Sequence, residues 1–302
     1  MADDDDGSVS GRPFLSARST MSAMACPVIK EGRVTKGDAL DLLACLPDGS
    51  VDLVVTSPPY ASMRRDHYNS IEPDEYPGWF LPISKEIQRA VKPSGSFVLN
   101  VKENVVDGSR HPYVMKTVLG MLDQGWKLSD TYVWHKTNPY PLKSKRRLKD
   151  GWEYAYHFVK NPADFKFFPD NVKVPVKKSA CVRMKSVKSN DETFGTGSAK
   201  YTRMMAGDDC ESRTVYPSNV LDIGVGANRG AYHPARFPPK LPAFFINLLT
   251  EAGDTIIDPF AGSGTTIAEA KKSCRKGIGF DMERKYVDSA NADLEKVEAK
   301  SC

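Results

Sequence analysis

Apolar positions along this chain alternate between short β-branched runs and longer stretches with helical spacing, a pattern that predicts an α/β fold. Gly32 to Asp38 reads as a strand ending in a turn. Ala39 to Leu46 reads as a short amphipathic helix closed by Pro47-Asp-Gly49, and Val51-Asp-Leu-Val-Val55 as the next strand, making a β-α-β unit. This second run is almost continuously apolar, as expected of a strand buried on both faces of a parallel sheet. A helix from Pro73 to Val91 carries Trp79, Phe80, Ile83, Ile87 and Ala90 on one stripe, and Lys92-Pro-Ser-Gly95 ends it before the strand Ser96 to Val101. A helix over Tyr113 to Gln124 and a strand over Trp126 to Trp134 continue the alternation.

After Trp134 the pattern changes. His135 to Pro141 is a Pro-rich loop, residues 143 to 149 form a basic run, and Trp152-Glu-Tyr-Ala-Tyr-His-Phe-Val159 reads as an aromatic strand. Residues 161 to 230 are polar and weakly periodic, and a long irregular stretch of this kind in a compact domain is either functional or disordered. Regular elements resume with a strand at Asn219 to Ile223 and a helix ending near Thr250. A strand at Asp254 to Asp258, a helix through Ala270, a strand at Gly277 to Asp281 and a helix from Arg284 to Val297 complete the chain.

Charge sharpens the picture of the middle segment. The net charge of the 302 residues is only +4, yet residues 136 to 213 hold seventeen Lys/Arg against nine Asp/Glu, which leaves the remainder at about −4. A polyanion is the natural partner for that segment, and basic residues beside aromatics suit phosphates next to stacked bases. A solvated charged loop before an ordinary edge strand is the competing reading. The candidate phosphate contacts are Lys143, Lys145, Arg146, Arg147 and Lys149.

The length accommodates one large α/β domain with an insertion, or two domains. Met1 to about Ala25 has the composition of a disordered tail. Six scattered cysteines, with no Cys-x-x-Cys pair and no zinc spacing, fit reduced thiols in an intracellular protein without a structural metal. No apolar run approaches the roughly 20 residues of a membrane span, and the amino terminus lacks a signal-peptide profile.

Two loops carry candidate chemistry. In Thr56-Ser-Pro-Pro-Tyr60, at the carboxyl end of an apolar strand, two prolines stiffen the chain and aim its carbonyls, while a hydroxyl and an aromatic face flank them. Such a loop could hold a planar, amine-bearing heterocycle, or be no more than a Pro-rich turn. In Asp258-Pro-Phe-Ala-Gly-Ser-Gly-Thr-Thr266, Gly262 and Gly264 allow close backbone approach, and the helix amino end that follows offers N–H groups to a carboxylate. Asp281 follows at about the spacing that serves a ribose hydroxyl. Asp38 suits either an adenine amine or a helix cap. A missing third glycine and the absence of a phosphate-loop lysine argue against a dinucleotide or a triphosphate.

Together these motifs, with His233-Pro-Ala-Arg-Phe-Pro238 leading into the second, resemble the S-adenosylmethionine-dependent DNA amino-methyltransferases of the β class over residues 32 to 298. The resemblance implies a doubly wound, Rossmann-like methyltransferase sheet, circularly rearranged. It divides the chain into a tail (1–25), a catalytic half (26–135), a target-recognition insertion (136–230) and a cofactor-binding half (231–302). S-adenosylmethionine would be held by Asp38, Ala39, Phe237, Asp258, Pro259, Phe260, Gly262, Ser263, Gly264, Thr265, Thr266 and Asp281. Ser57, Pro58, Pro59 and Tyr60 would be catalytic, and Ser57 in place of Asp or Asn is similar to the N4-cytosine members.

The implied reaction is methyl transfer to cytosine N4 within a restriction-modification setting. The substrate would be double-stranded DNA with the target base flipped out and stacked on Tyr60. Ser57 Oγ and the Pro58 carbonyl would accept the two amine protons. Adenine N6, RNA or protein as the acceptor, or an inactive DNA-binding module, are the alternatives. No Pro-Cys motif of the C5-cytosine kind is present. A homodimer is compatible with the resemblance, and the expected location is on DNA, in a bacterial cytoplasm or a eukaryotic nucleus.

Overall fold

In a computed structural model of the 302-residue chain, the structure describes residues 26–62, 71–139, 141, 146–176, 213–226 and 238–298. The expected tail, Phe237 with most of its leading segment, Lys143 and Lys145 lie outside the described residues. Strands β1 (Arg33–Lys36), β2 (Val51–Thr56) and β3 (Val91–Val101) alternate with helices α1 (Ala39–Ala44), α2 (Tyr76–Ala90) and α3 (Tyr113–Asp123). A small hairpin, β4 (Val105–Val106) and β5 (Ser109–Arg110), precedes α3. β6 (Lys127–His135) and β7 (Trp152–Val159) follow, then a short pair β8 (Val174–Pro175) and β9 (Thr214–Val215), and β10 (Val220–Asp222). The last third alternates again: α4 (Lys240–Leu249), β11 (Thr255–Asp258), α5 (Thr265–Lys272), β12 (Lys276–Asp281) and α6 (Arg284–Glu295).

Eight strands form one sheet in the order β1-β12-β11-β2-β3-β7-β6-β10. The expected β-α-β unit is therefore split, because β12 and β11 from the far end of the chain lie between β1 and β2. All pairs are parallel except those made by β7, which runs antiparallel to both β3 and β6. β7 is an interior strand, so its aromatic residues pack against neighbours on both sides of the ladder. β7 and β10, which fall within 136–230, are strands of the main sheet.

Helices cover both faces. On one, Leu42 and Leu43 of α1, Phe80, Ile83 and Ile87 of α2, and Val114 and Met121 of α3 pack with Val54, Phe97, Leu99 and Phe158. On the other, Leu241, Phe245, Ile246 and Leu249 of α4 meet Leu53, Val55, Val98 and Ile256. Alternate β2 residues thus feed two cores, and all six are buried, as the apolar run predicts. Each such Val or Leu contributes about 1.5–3 kcal/mol.

Asp52, buried within β2, is the polar exception. Burial opposes its charge, but hydrogen bonds from Lys92 at 2.8 Å, the Thr255 amide at 3.0 Å and Lys166 at 3.2 Å outweigh it and hold the carboxyl below its usual range.

Several cations of the basic segment serve the fold in the same way. Lys166 also pairs with Asp254, Lys173 with Asp170, and Arg147 with Asp150. The local charge excess is thus only partly available to a polyanion. Cys26 and Cys45, expected as reduced thiols, are joined as a disulfide, their Cα atoms 5.7 Å apart and inside the range such a bond requires. Among the described residues no helix is long and apolar enough to cross a membrane, and no cluster of His, Cys, Asp and Glu could hold a metal ion.

Candidate active site

Both motifs lie at the carboxyl edge of the parallel strands, where open α/β sheets place ligands. β2 ends at Thr56 and delivers Ser57-Pro-Pro-Tyr60; its neighbour β11 ends at Asp258 and delivers the glycine loop. A direct bond ties the two. Thr56 Oγ1 donates to Asp258 Oδ1 at 2.6 Å, Thr266 Oγ1 donates to Oδ2 at 2.7 Å, and the Phe260 amide donates to Oδ1 at 3.1 Å. Burial still dominates and pushes the Asp258 carboxyl up to about 6. Its oxygens face inward, so Asp258 braces the two loops against each other.

In the glycine loop, Gly262 (φ 50°) and Gly264 (φ 73°) adopt left-handed conformations that a Cβ would strain. Gly264 is the N-cap of α5, and no side chain caps that helix, so its first amides face the sheet edge without a side-chain acceptor. Ser263 and Thr265 hydroxyls lie 3.2 Å apart beside it. Asp281 accepts from the Gly262 amide at 3.0 Å and the Glu283 amide at 2.8 Å, and burial raises its carboxyl above the usual range.

Pro259 is buried, and Phe260 is half-buried with its ring 5.6 Å from Trp79. At the end of β1, Asp38 Oδ1 accepts from the Leu40 amide at 2.8 Å, the capping role, while Ala39 is buried under the first turn of α1. Asp38, the glycine loop and Asp281 thus share one edge with Ser57 to Tyr60. Arg146 and Lys149 are exposed on the segment after β6, while Arg147 is drawn to Asp150.

Two residues of this site escaped the sequence reading. Tyr60 Oη donates to Glu153 Oε2 at 2.8 Å, and Lys136 Nζ binds Glu153 Oε1 at 2.6 Å. Both are largely buried, Glu153 at 5% exposure and the Lys136 side chain at 11%. Burial and then the Glu153 charge push the Tyr60 phenol well above its usual range, so it keeps its proton. The available signal was a lone carboxylate alternating with Ala155, His157 and Val159 on the inner face of an aromatic strand.

Residues 51–292, both loops included, match the DNA methylase family. The chain belongs to that family. This methylase is 33% identical over 278 residues to the type II methyltransferase M.PvuII of Proteus hauseri, an alignment that covers 85% of this chain and 81% of the relative. Its fold superposes on a solved PvuII DNA methyltransferase described as cytosine-N4-specific, with a TM-score of 0.66, 28% identity and 91% of each chain covered. The Thermus thermophilus protein TTHA0409, solved with S-adenosyl-L-methionine, shares the fold at a TM-score of 0.58 and 22% identity, covering 89% of this chain and 96% of that one.

Proposed function

We propose that this methylase transfers a methyl group from S-adenosylmethionine to the exocyclic N4 amine of cytosine in double-stranded DNA. The observation that carries the proposal is the 2.6 Å bond from Thr56 to Asp258, which locks an amine-holding loop beside a nucleoside-holding loop on one sheet edge. Ser57, and the cytosine-N4 specificity of the solved PvuII relative, favour cytosine over adenine.

The chain fits the methyl donor. Left-handed Gly262 and Gly264 and the uncapped amides of α5 suit its carboxylate, and the carboxyls of Asp281 and Asp38, on the same edge, suit its ribose hydroxyls and its adenine amine. The resemblance assigns Phe237 to the same pocket. Bound there, the donor supplies an electrophilic methyl group. Ser57 Oγ and the Pro58 carbonyl accept hydrogen bonds from the two amine N–H groups and turn the nitrogen lone pair out of the ring toward the methyl, which is catalysis by positioning and electrostatics. Pro59 stiffens the loop, and Tyr60 offers its face to the base, which leaves the duplex at a cost of a few kcal/mol. The chain order, with the cofactor half last, is on this reading a circular rearrangement. Target recognition falls to the segment 136–230 on this reading.

Incubation with S-adenosylmethionine and unmethylated genomic DNA, followed by nucleoside mass spectrometry, should reveal N4-methylcytosine that Ser57→Ala fails to make. N6-methyladenine in its place would keep the fold and overturn the base assignment.

DNA affinity should fall steeply with salt if Lys143, Lys145, Arg146, Arg147 and Lys149 meet phosphates. Each contact adds about 0.9 to the slope of log affinity against log salt, so replacing Arg146 and Lys149 with Gln should flatten it by roughly 2. Fluorescence anisotropy across a salt series measures this, and an unchanged slope would remove the role from both residues.

A further inference from the structure

Ser57 Oγ and Tyr60 Oη lie 3.1 Å apart, and on distance alone either could be the donor. The next link decides the direction. Glu153 is a carboxylate paired with the Lys136 ammonium, so it only accepts hydrogen bonds, and a phenol has a single proton to give. Tyr60 gives that proton to Glu153 at 2.8 Å and must therefore accept from Ser57. The Ser57 proton is committed to Tyr60, and the lone pairs of Oγ are what remain for a substrate.

The location of the buried pair makes sense in these terms and not in terms of stability. A buried ion pair gains little over apolar packing, because desolvation offsets the attraction. This one sits at the amino end of β7, the antiparallel strand of the main sheet, and the pairing of Tyr154 with Val101 brings that end to the site edge. There it terminates a chain of four groups running from Ser57 through Tyr60 and Glu153 to Lys136. The bonds from Ser57 to Tyr60 and from Tyr60 to Glu153 run in one direction and polarise each other, which strengthens Ser57 as an acceptor, while Lys136 donates to Glu153 from the far side and anchors it.

We propose that Glu153 is a positioning residue that, anchored by Lys136 and acting through Tyr60, fixes Ser57 as a hydrogen-bond acceptor and so selects bases that present an amine. A base edge with a carbonyl at that position would meet an acceptor with no proton to offer. This assignment rests on the methyl-transfer reading above and adds to it the device that sets the polarity of the site.

The test compares the full-length wild type with Glu153→Gln, Tyr60→Phe and the double variant. Turnover and KM are measured on unmethylated genomic DNA, S-adenosylmethionine affinity by calorimetry, and folding by thermal melts. Each single variant should lower kcat by about 10- to 100-fold, less than the roughly 100- to 1,000-fold lost with a hydrogen bond made to the reacting group itself, with KM for DNA and cofactor affinity within about twofold. The double variant should be no more than about threefold below the slower single, since both changes break one chain.

Losses that multiply in the double variant, or that appear in KM or cofactor affinity with kcat intact, overturn the proposal. Tyr60→Phe keeps the ring and leaves the Glu153–Lys136 pair in place, so full turnover in that variant overturns it even if Glu153→Gln fails to fold. A wild-type protein that binds S-adenosylmethionine and methylates no base overturns the methyl-transfer reading, and this assignment with it.

Discussion

Tyr60→Ala should lower turnover on DNA by about 100-fold or more while leaving S-adenosylmethionine affinity within about twofold. Two losses combine in this variant. Removing the ring deletes a stacking face worth about 1–3 kcal/mol per base. Removing the hydroxyl frees the Ser57 proton and leaves the Glu153 oxygen at 2.8 Å without its donor. The glycine loop is braced separately, through Asp258, Thr56 and Thr266, so the cofactor side has no reason to follow. Single-turnover methyl transfer and calorimetry separate the two quantities. Equal losses in both would place Tyr60 in the cofactor pocket and not against the base.

Asp258 gives the second large effect, on stability and its pH dependence. A carboxyl whose folded value lies above its unfolded one takes up its proton more readily in the native state. Its contribution is therefore fully present below about pH 3.8 and is lost as pH rises through about 6. The interval from 3.8 to about 6 corresponds to about 3 kcal/mol as an upper bound. Wild-type protein should lose melting temperature between about pH 5 and pH 7.5, and Asp258→Asn, which keeps an acceptor oxygen and carries no charge, should lose much less.

Asp258→Ala should cost roughly 2–5 kcal/mol, more at pH 5 than at pH 7.5 because the wild-type carboxyl stabilises less at the higher pH, since it leaves the buried Thr56 and Thr266 hydroxyls and the Phe260 amide without their acceptor. Calorimetric melts of the three proteins decide the matter. An identical pH dependence in wild type and Asp258→Asn would show that the carboxyl stays ionised in the fold across this range.

Much of the architecture is written in local pattern. The helix expected over Tyr113 to Gln124 is observed at Tyr113–Asp123, the aromatic strand occupies the predicted Trp152–Val159, and the final helix begins at Arg284 as expected. These elements were legible because side-chain periodicity, prolines and glycines act over a few residues. The two loops were legible for a related reason: each is a contiguous string whose backbone character follows from its own prolines and glycines.

The neighbours of each element were not legible. Nothing in residues 152–159 states that the strand runs antiparallel, and that direction alone puts its first turn, with Glu153, at the same edge as Tyr60. Lys136 read as one more cation of a DNA-facing segment and proved to be a buried counter-ion, as Lys166 did for Asp52 and Asp254. Asp258, read as a cofactor residue, also holds two loops together through bonds that no local pattern shows, and Asp38 caps α1 through Oδ1.

The sequence by itself determined the alternating elements, the family and the two loops, because each depends on residues adjacent in the chain. The tertiary structure alone decided strand order, the polarity of the Ser57–Tyr60–Glu153 chain and which charges are paired. Those properties depend on groups distant in the chain, such as Arg33 and Glu295, 262 residues apart, or Thr56 and Asp258, 202 apart, and come together only when the sheet closes.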